Sequence, residues 1–152
     1  VLTYEAVKQF NVEPVVALTS YSNFGEYKLG SPAQIQEAVE VLQRKYPEIL
    51  VDGEMSASVA FNKELRQARY PFSPLADKDV NTIIFPNLSS GSIALGVLQE
   101  LGNNEIIGPV LLGLNKPVHI LQMGCSVRDI VYMTTLAVTD AQKETPVDMC
   151  RI

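Results

Sequence analysis

Short apolar runs alternate with amphipathic stretches along this chain, and that alternation constrains the fold more than any other feature. Pro14–Thr19 (PVVALT) is almost wholly apolar and too short for a helix, and Val80–Phe85 (VNTIIF) is similar. Such runs are strands buried on both faces, the condition of a parallel sheet covered by helices. Ser31–Tyr46 has helical spacing. Ile35, Ala38, Val39, Leu42 and Tyr46 share one side, Ser31 is placed as the cap, Pro32 suits the first helical position and Gln34 completes a capping box. Val1–Phe10 and Ser58–Ala68 also read as helices, the second through Val59, Ala60 and Leu65. Ile49–Val51 is a short strand leading into Asp52-Gly53-Glu54. Pro86–Gly91 turns the chain into a helix with Ile93, Ala94, Val97, Leu98 and Leu101 on its apolar face and Gly102 past its end. Ile106–Leu112 reads as extended, with Gly108-Pro109 fitting an edge or a bend, and Val118–Leu121 as the next strand. Ser126 caps a last helix that reaches about Gln142, with Asp129 at its third position. The order α-β-α-β-α-β-α-β-β-α predicts a layered α/β fold with a mainly parallel sheet over residues 1–142 and a polar, frayed tail over 143–152.

A chain of 152 residues can bury one sizeable core. Twelve Lys+Arg against 17 Asp+Glu give a net charge of −5, which disfavours a non-specific nucleic-acid binder. No segment approaches the ~20 apolar residues of a membrane span, and no signal sequence is visible. Two cysteines and one histidine make neither a disulfide framework nor a familiar zinc spacing. The expectation is a reduced, cytoplasmic protein without a metal site. The first residue is Val, which points to a piece of a longer chain.

In open α/β sheets, ligands bind beyond the carboxyl ends of strands. Here those ends are Ser20–Gly25, Asp52-Gly53-Glu54, Pro86–Gly91 and Gln122–Ser126. They hold the candidate ligand contacts Ser22, Asn23, Asn87, Ser90, Gln122, Met123 and Ser126. Free N–H groups where such loops enter helices favour phosphates and carboxylates, although capping is the ordinary role of Ser there. Asp52 and Glu54 are either carboxylates over a cleft or solvated turn acids. Arg66 and Arg69, about one turn apart, are either a phosphate clamp or a solvated face. Lys116 and Arg128 are the other candidate cations. Asp129 suits the positive end of its helix, His119 reads as a hydrogen-bonded strand residue, and Cys125 as structural. No P-loop, GxGxxG, HExxH or GxSxG pattern occurs. The residues by themselves lead to an α/β domain with a cleft for a phosphorylated ligand.

Four longer motifs carry more. VDGEM (51–55), FPNLSSGSIALGVLQELG (85–102), IGPVLLGLNKPVHIL (107–121) and VRDIVYMTTLAVTDAQ (127–142) resemble the phosphate acetyl/butyryltransferase family. They are even more similar to the C-terminal phosphotransacetylase-like domain of large bacterial NADP-dependent malic enzymes. The resemblance implies a three-layer fold akin to isocitrate/isopropylmalate dehydrogenase, of which this chain is the C-terminal half. It also implies homo-oligomers, and acetyl-CoA or acetyl phosphate as ligand. In active members of the family, the resemblance implies, a Ser-Arg pair follows the KPxxxL segment. An Asp in the next helix deprotonates the coenzyme A thiol, the Arg holds phosphate and the Ser stabilises charge. That Asp corresponds to Asp129, whereas the Ser-Arg positions fall on Gln122 and Met123. Met cannot pair with phosphate, and losing such a contact slows a reaction by ~10²–10³. The departure favours the malic-enzyme type, read as a degenerate, regulatory acetyl-CoA-binding domain, with NADP and a divalent metal confined to the parent's catalytic part. An active phosphate acetyltransferase and a structural oligomerisation lobe are the alternatives.

Overall fold

The computed structural model describes residues 1–102, 106–114 and 116–142. The elements are α1 (Leu2–Lys8), β1 (Val16–Thr19), α2 (Ser31–Lys45), β2 (Val51–Met55), α3 (Ala57–Phe61), α4 (Lys63–Arg69), β3 (Thr82–Ile84), α5 (Leu88–Leu101) and α6 (Val127–Gln142). They part into two compact units, one holding Thr3–Leu101 and the other beginning at Gly102. The expected frayed tail, 143–152, lies outside the described residues.

In the first unit the strands form one parallel sheet in the order β2-β1-β3. Successive side chains of β1 point to opposite faces, so each face has its own core. Val16 and Leu18 pack with Tyr4 of α1, Ile35 and Val39 of α2, Ile49 and Val51. Ala17 packs on the other side with Met55, Leu75, and Val59 and Ala60 of α3. Helices therefore cover both faces of the sheet, as a strand apolar on both sides requires. Each aliphatic side chain of this size contributes roughly 1.5–3 kcal/mol on full burial.

One irregularity shapes the sheet's carboxyl edge. Leu18 aligns with Gly53 but Thr19 with Met55, which leaves Glu54 as the extra residue of a bulge. Unbroken alternation would put Met55 on Val51's side, yet it packs with Ala17 on the opposite one. Gly53 has φ +152, and a Cβ there would run into the Leu18 carbonyl oxygen. Only glycine fits this close approach.

Four local expectations are corrected. Ser31 is the first helical residue rather than the cap of α2; Gly30, at φ 67, precedes it and no side chain caps this end. A left-handed entry suits glycine and leaves Ser31 already inside the helix. The helix expected over Ser58–Ala68 is broken at Asn62, whose Oδ1 accepts the Leu65 N–H at 2.8 Å and starts α4. Asp52 and Glu54 lie inside β2 and are buried, so they are not turn acids. Neither Ile106–Leu112 nor Val118–Leu121 is a strand. A strand needs a ladder partner for its N–H and C=O groups, and the sheet among the described residues has three members. Most of the apolar face of α5 is exposed as well, Ile93 at 69% and Leu101 at 82%.

Candidate functional site

The loop after β1 occupies the carboxyl end of the sheet's middle strand. Ser22 is fully buried. Its hydroxyl donates to Glu54 Oε1 at 2.6 Å and accepts the Tyr27 N–H at 3.2 Å. The Gly25 N–H donates to the same carboxylate at 3.0 Å, and the Phe24 N–H to the Glu54 carbonyl at 2.8 Å. Asn23 Oδ1 accepts the Ser56 N–H at 2.9 Å. The loop is thus tied to the bulge of β2. Ser22 lends its hydroxyl to the chain itself, while Asn23 is half-buried.

Two residues before Glu54, the Asp52 carboxylate accepts from the Ser73 hydroxyl at 2.5 Å. Burial pushes the Asp52 pKa above the ordinary carboxyl range, against the opposing pull of that hydrogen bond. Arg66 is not half of a phosphate clamp. It is 1% exposed and turned inward, where it donates to the carbonyls of Leu75 (3.0 Å), Val59 (2.9 Å), Ala60 and Lys78. Burial lowers its pKa. Arg69 is exposed, so the two guanidiniums do not converge. A single helical turn separates them in sequence, but the break at Asn62 aims the face of α4 that carries Arg66 into the core.

Asn87 precedes α5 and its Oδ1 accepts both the N–H of Ser90 (2.9 Å) and its hydroxyl (3.1 Å). These two candidates form a helix cap. Asn87 is exposed and Ser90 half-buried.

In the second unit, Gln122-Met123-Gly124-Cys125 make a tight turn. The Cys125 N–H donates to the Gln122 carbonyl at 3.2 Å, with Gly124 at φ 89. The Met123 side chain is wholly exposed, and Gln122 is exposed beside it. Ser126 caps α6, as the sequence leads one to expect, and Asp129 makes the cap reciprocal. Asp129 Oδ2 accepts the Ser126 N–H (2.7 Å) and hydroxyl (2.8 Å), and Ser126 Oγ accepts the Asp129 N–H (3.2 Å). The Ser126 hydrogen bonds hold the Asp129 carboxyl below its ordinary range, and Arg128 adds to this. Arg128 Nε donates to the Tyr132 hydroxyl at 2.9 Å, with the guanidinium over that ring. Lys116 is exposed. His119 is not in a strand. Its ring is buried with Nε2 3.4 Å from Asp140 Oδ2, within ion-pair range but without hydrogen-bond alignment. Gln122, Met123, Ser126, Arg128 and Asp129 are thus brought onto one turn and one helix start.

The family model described as phosphate acetyl/butaryl transferase matches residues 1–138. The chain belongs to this family. Within the phosphate acetyl/butaryl transferase family its relatives are of two kinds. It is 38% identical to an NADP-dependent malic enzyme of Salmonella typhimurium over 93% of this chain and 19% of that protein. It is 35% identical to a phosphate acetyltransferase of Bacillus subtilis over 88% of this chain and 41% of that protein. A solved phosphotransacetylase from Streptococcus pyogenes superposes with a TM-score of 0.84 at 36% identity, covering 91% of this chain and 42% of the other. The chain therefore spans about two fifths of the transferases it matches and about a fifth of the malic enzyme. The layered α/β fold is that of a partial phosphotransacetylase domain.

Sequence reasoning missed three contributors: the Glu54 latch on the β1 loop, the Ser73–Asp52 pair, and the inward turn of Arg66. For Glu54 a signal existed in Asp-Gly-Glu directly after an apolar strand, because a glycine within a strand often marks a bulge. Nothing local marks Ser73, which lies 21 residues from its partner.

Proposed function

We propose that this chain is the acetyl-CoA-binding, regulatory part of an NADP-dependent malic enzyme, and that it turns acetyl groups over poorly or not at all. The observation that carries the reading is Met123 beside Gln122 on an exposed turn ahead of α6. A thioether and a neutral amide stand where the resemblance calls for a guanidinium and a hydroxyl. Neither supplies the charge-assisted, bidentate hold on phosphate that an arginine gives. The 38% identity to malic enzyme points the same way.

In this reading the coenzyme A thioester is a ligand, and acetyl phosphate is not made at a useful rate. Asn23, Asn87, Ser90, Gln122, Ser126 and Arg128 are the candidate contacts, and Ser22 supports the loop from beneath. NADP and the divalent metal belong to catalytic parts outside this chain, and the assembly is a homo-oligomer. Acetyl-CoA would act on malate oxidation through a coupling of about 1–3 kcal/mol, roughly 5–150-fold in affinity.

The test uses the intact parent protein. Malate oxidation is followed with and without acetyl-CoA, and acetyl transfer from acetyl-CoA to phosphate is assayed in parallel. The expected result is inhibition of malate oxidation with acetyl transfer at least ~100-fold below that of active transferases. Transfer at the level of active members would replace this reading with a phosphate acetyltransferase, which the 36% identity to a phosphotransacetylase also accommodates. No acetyl-CoA binding at all would leave an assembly role.

A further inference from the structure

Resting on the acetyl-CoA reading, we infer that Glu54 is a positioning residue that fixes the loop Ser20–Tyr27 in its ligand-ready form. Glu54 is fully buried, and two neutral groups donate to its carboxylate: the Ser22 hydroxyl and the Gly25 N–H. Burying a carboxylate against neutral donors is costly, and a core position of ordinary purpose would take an apolar side chain. The bulge aims this side chain: Glu54 is the residue of β2 without a partner on β1.

The loop it holds bears a second sign of pre-set geometry. Phe24 sits at φ 48, a left-handed conformation that bulky side chains avoid and that persists where the surroundings over-determine it. Those surroundings are on both sides. Beneath it are the Glu54 contacts and the Ser56–Asn23 hydrogen bond. Over it, the Phe24 ring lies 4.8 Å from that of Tyr70 and 5.2 Å from that of Phe72. The loop follows the middle strand of a parallel sheet, at its carboxyl end. This is where open α/β sheets take their ligands. A loop ordered before the ligand arrives loses less freedom on binding, so the latch raises affinity without touching the ligand.

Calorimetry with acetyl-CoA on the intact parent protein tests this, comparing wild type, Glu54→Asp, Glu54→Gln and Ser22→Ala, with the melting temperature of each as control. Asp keeps the charge but is one methylene too short to reach both Ser22 and Gly25. Gln keeps the reach and places an amide oxygen where Oε1 stands. Glu54→Asp and Ser22→Ala are expected to weaken acetyl-CoA binding at least about 10-fold, with Glu54→Gln restoring it to within about 3-fold of wild type. Wild-type binding that Ser22→Ala and Glu54→Asp leave unchanged overturns the inference, whatever happens to the melting temperature. A lowered melting temperature with unchanged affinity assigns Glu54 to stability alone. If Glu54→Asp does not fold, Ser22→Ala decides by the same criterion. Wild type that binds no acetyl-CoA at millimolar concentration refutes the ligand reading, and the positioning role falls with it; this outcome is distinct from wild type that binds while the variants bind equally well.

Discussion

Arg66 and Asp52 are ionisable residues buried for opposite purposes. Arg66 ties four backbone carbonyls from α3 and the segment after α4 around one guanidinium. Arg66→Ala would take the guanidinium from all four, leaving the Val59 and Leu75 carbonyls only the backbone N–H groups of Asn62 and Lys78, and a loss of about 3–5 kcal/mol is expected from urea denaturation of the intact protein. Asp52 works the other way. Its folded pKa is raised, so the folded state takes the proton more readily than the unfolded chain. The stability this group contributes is complete below the ordinary aspartate pKa, about 3.9, and is lost as pH rises through the folded value. Asp52→Asn keeps an acceptor for Ser73 and removes that loss. The variant is expected to be at least as stable as wild type at neutral pH, with the advantage closing in acid, which melting curves across pH would show.

Two helix starts illustrate capping at the element scale. Asn87 serves α5 through Ser90, and Asn87→Ala is expected to lower stability by about 1 kcal/mol, measurable by denaturant titration. At α6 the cap is ionic. The lowered pKa of Asp129 means that its contribution is present above the ordinary aspartate value and fades as pH falls through the folded one. Asp129→Asn is expected to flatten the acid limb of the stability profile, read by circular dichroism between neutral pH and acid. The same carboxylate is the one that the family resemblance makes a base. A group already engaged as a cap gives up part of its basicity, so strength at one task weakens the other.

For the whole molecule, the exposed apolar side chains have the largest consequence. Ile93, Val97, Leu98 and Leu101 of α5 are each more than half exposed. A contiguous apolar patch of more than a few hundred Å² promotes association. The 152-residue chain on its own is therefore expected to associate as concentration rises in sedimentation velocity, and Leu98→Glu is expected to shift it toward monomer. An equal distribution of species for both proteins would show that α5 has no part in it. Among the described residues no helix is long and apolar enough to cross a membrane, so the patch is not a span.

Periodicity alone located β1, α2, β3, α5 and α6, because burial on both faces of a strand or along one stripe of a helix leaves its mark in residues a few positions apart. The Ser126 cap was legible for the same reason, while the hydrogen bonds that Asp129 returns to it appear only in the structure. What the sequence misread or left open depends on partners far along the chain. Whether 106–112 and 118–121 become strands rests on a neighbour to pair with, which no local pattern encodes. The inward turn of Arg66 needed the carbonyls of Leu75 and Lys78 to be folded over it, and Glu54 became a latch only when the bulge faced it toward Ser22, 32 residues away. Local spacing decides which helices and doubly buried strands form; only packing decides which extended runs find a ladder, which charged groups are buried and what they hold.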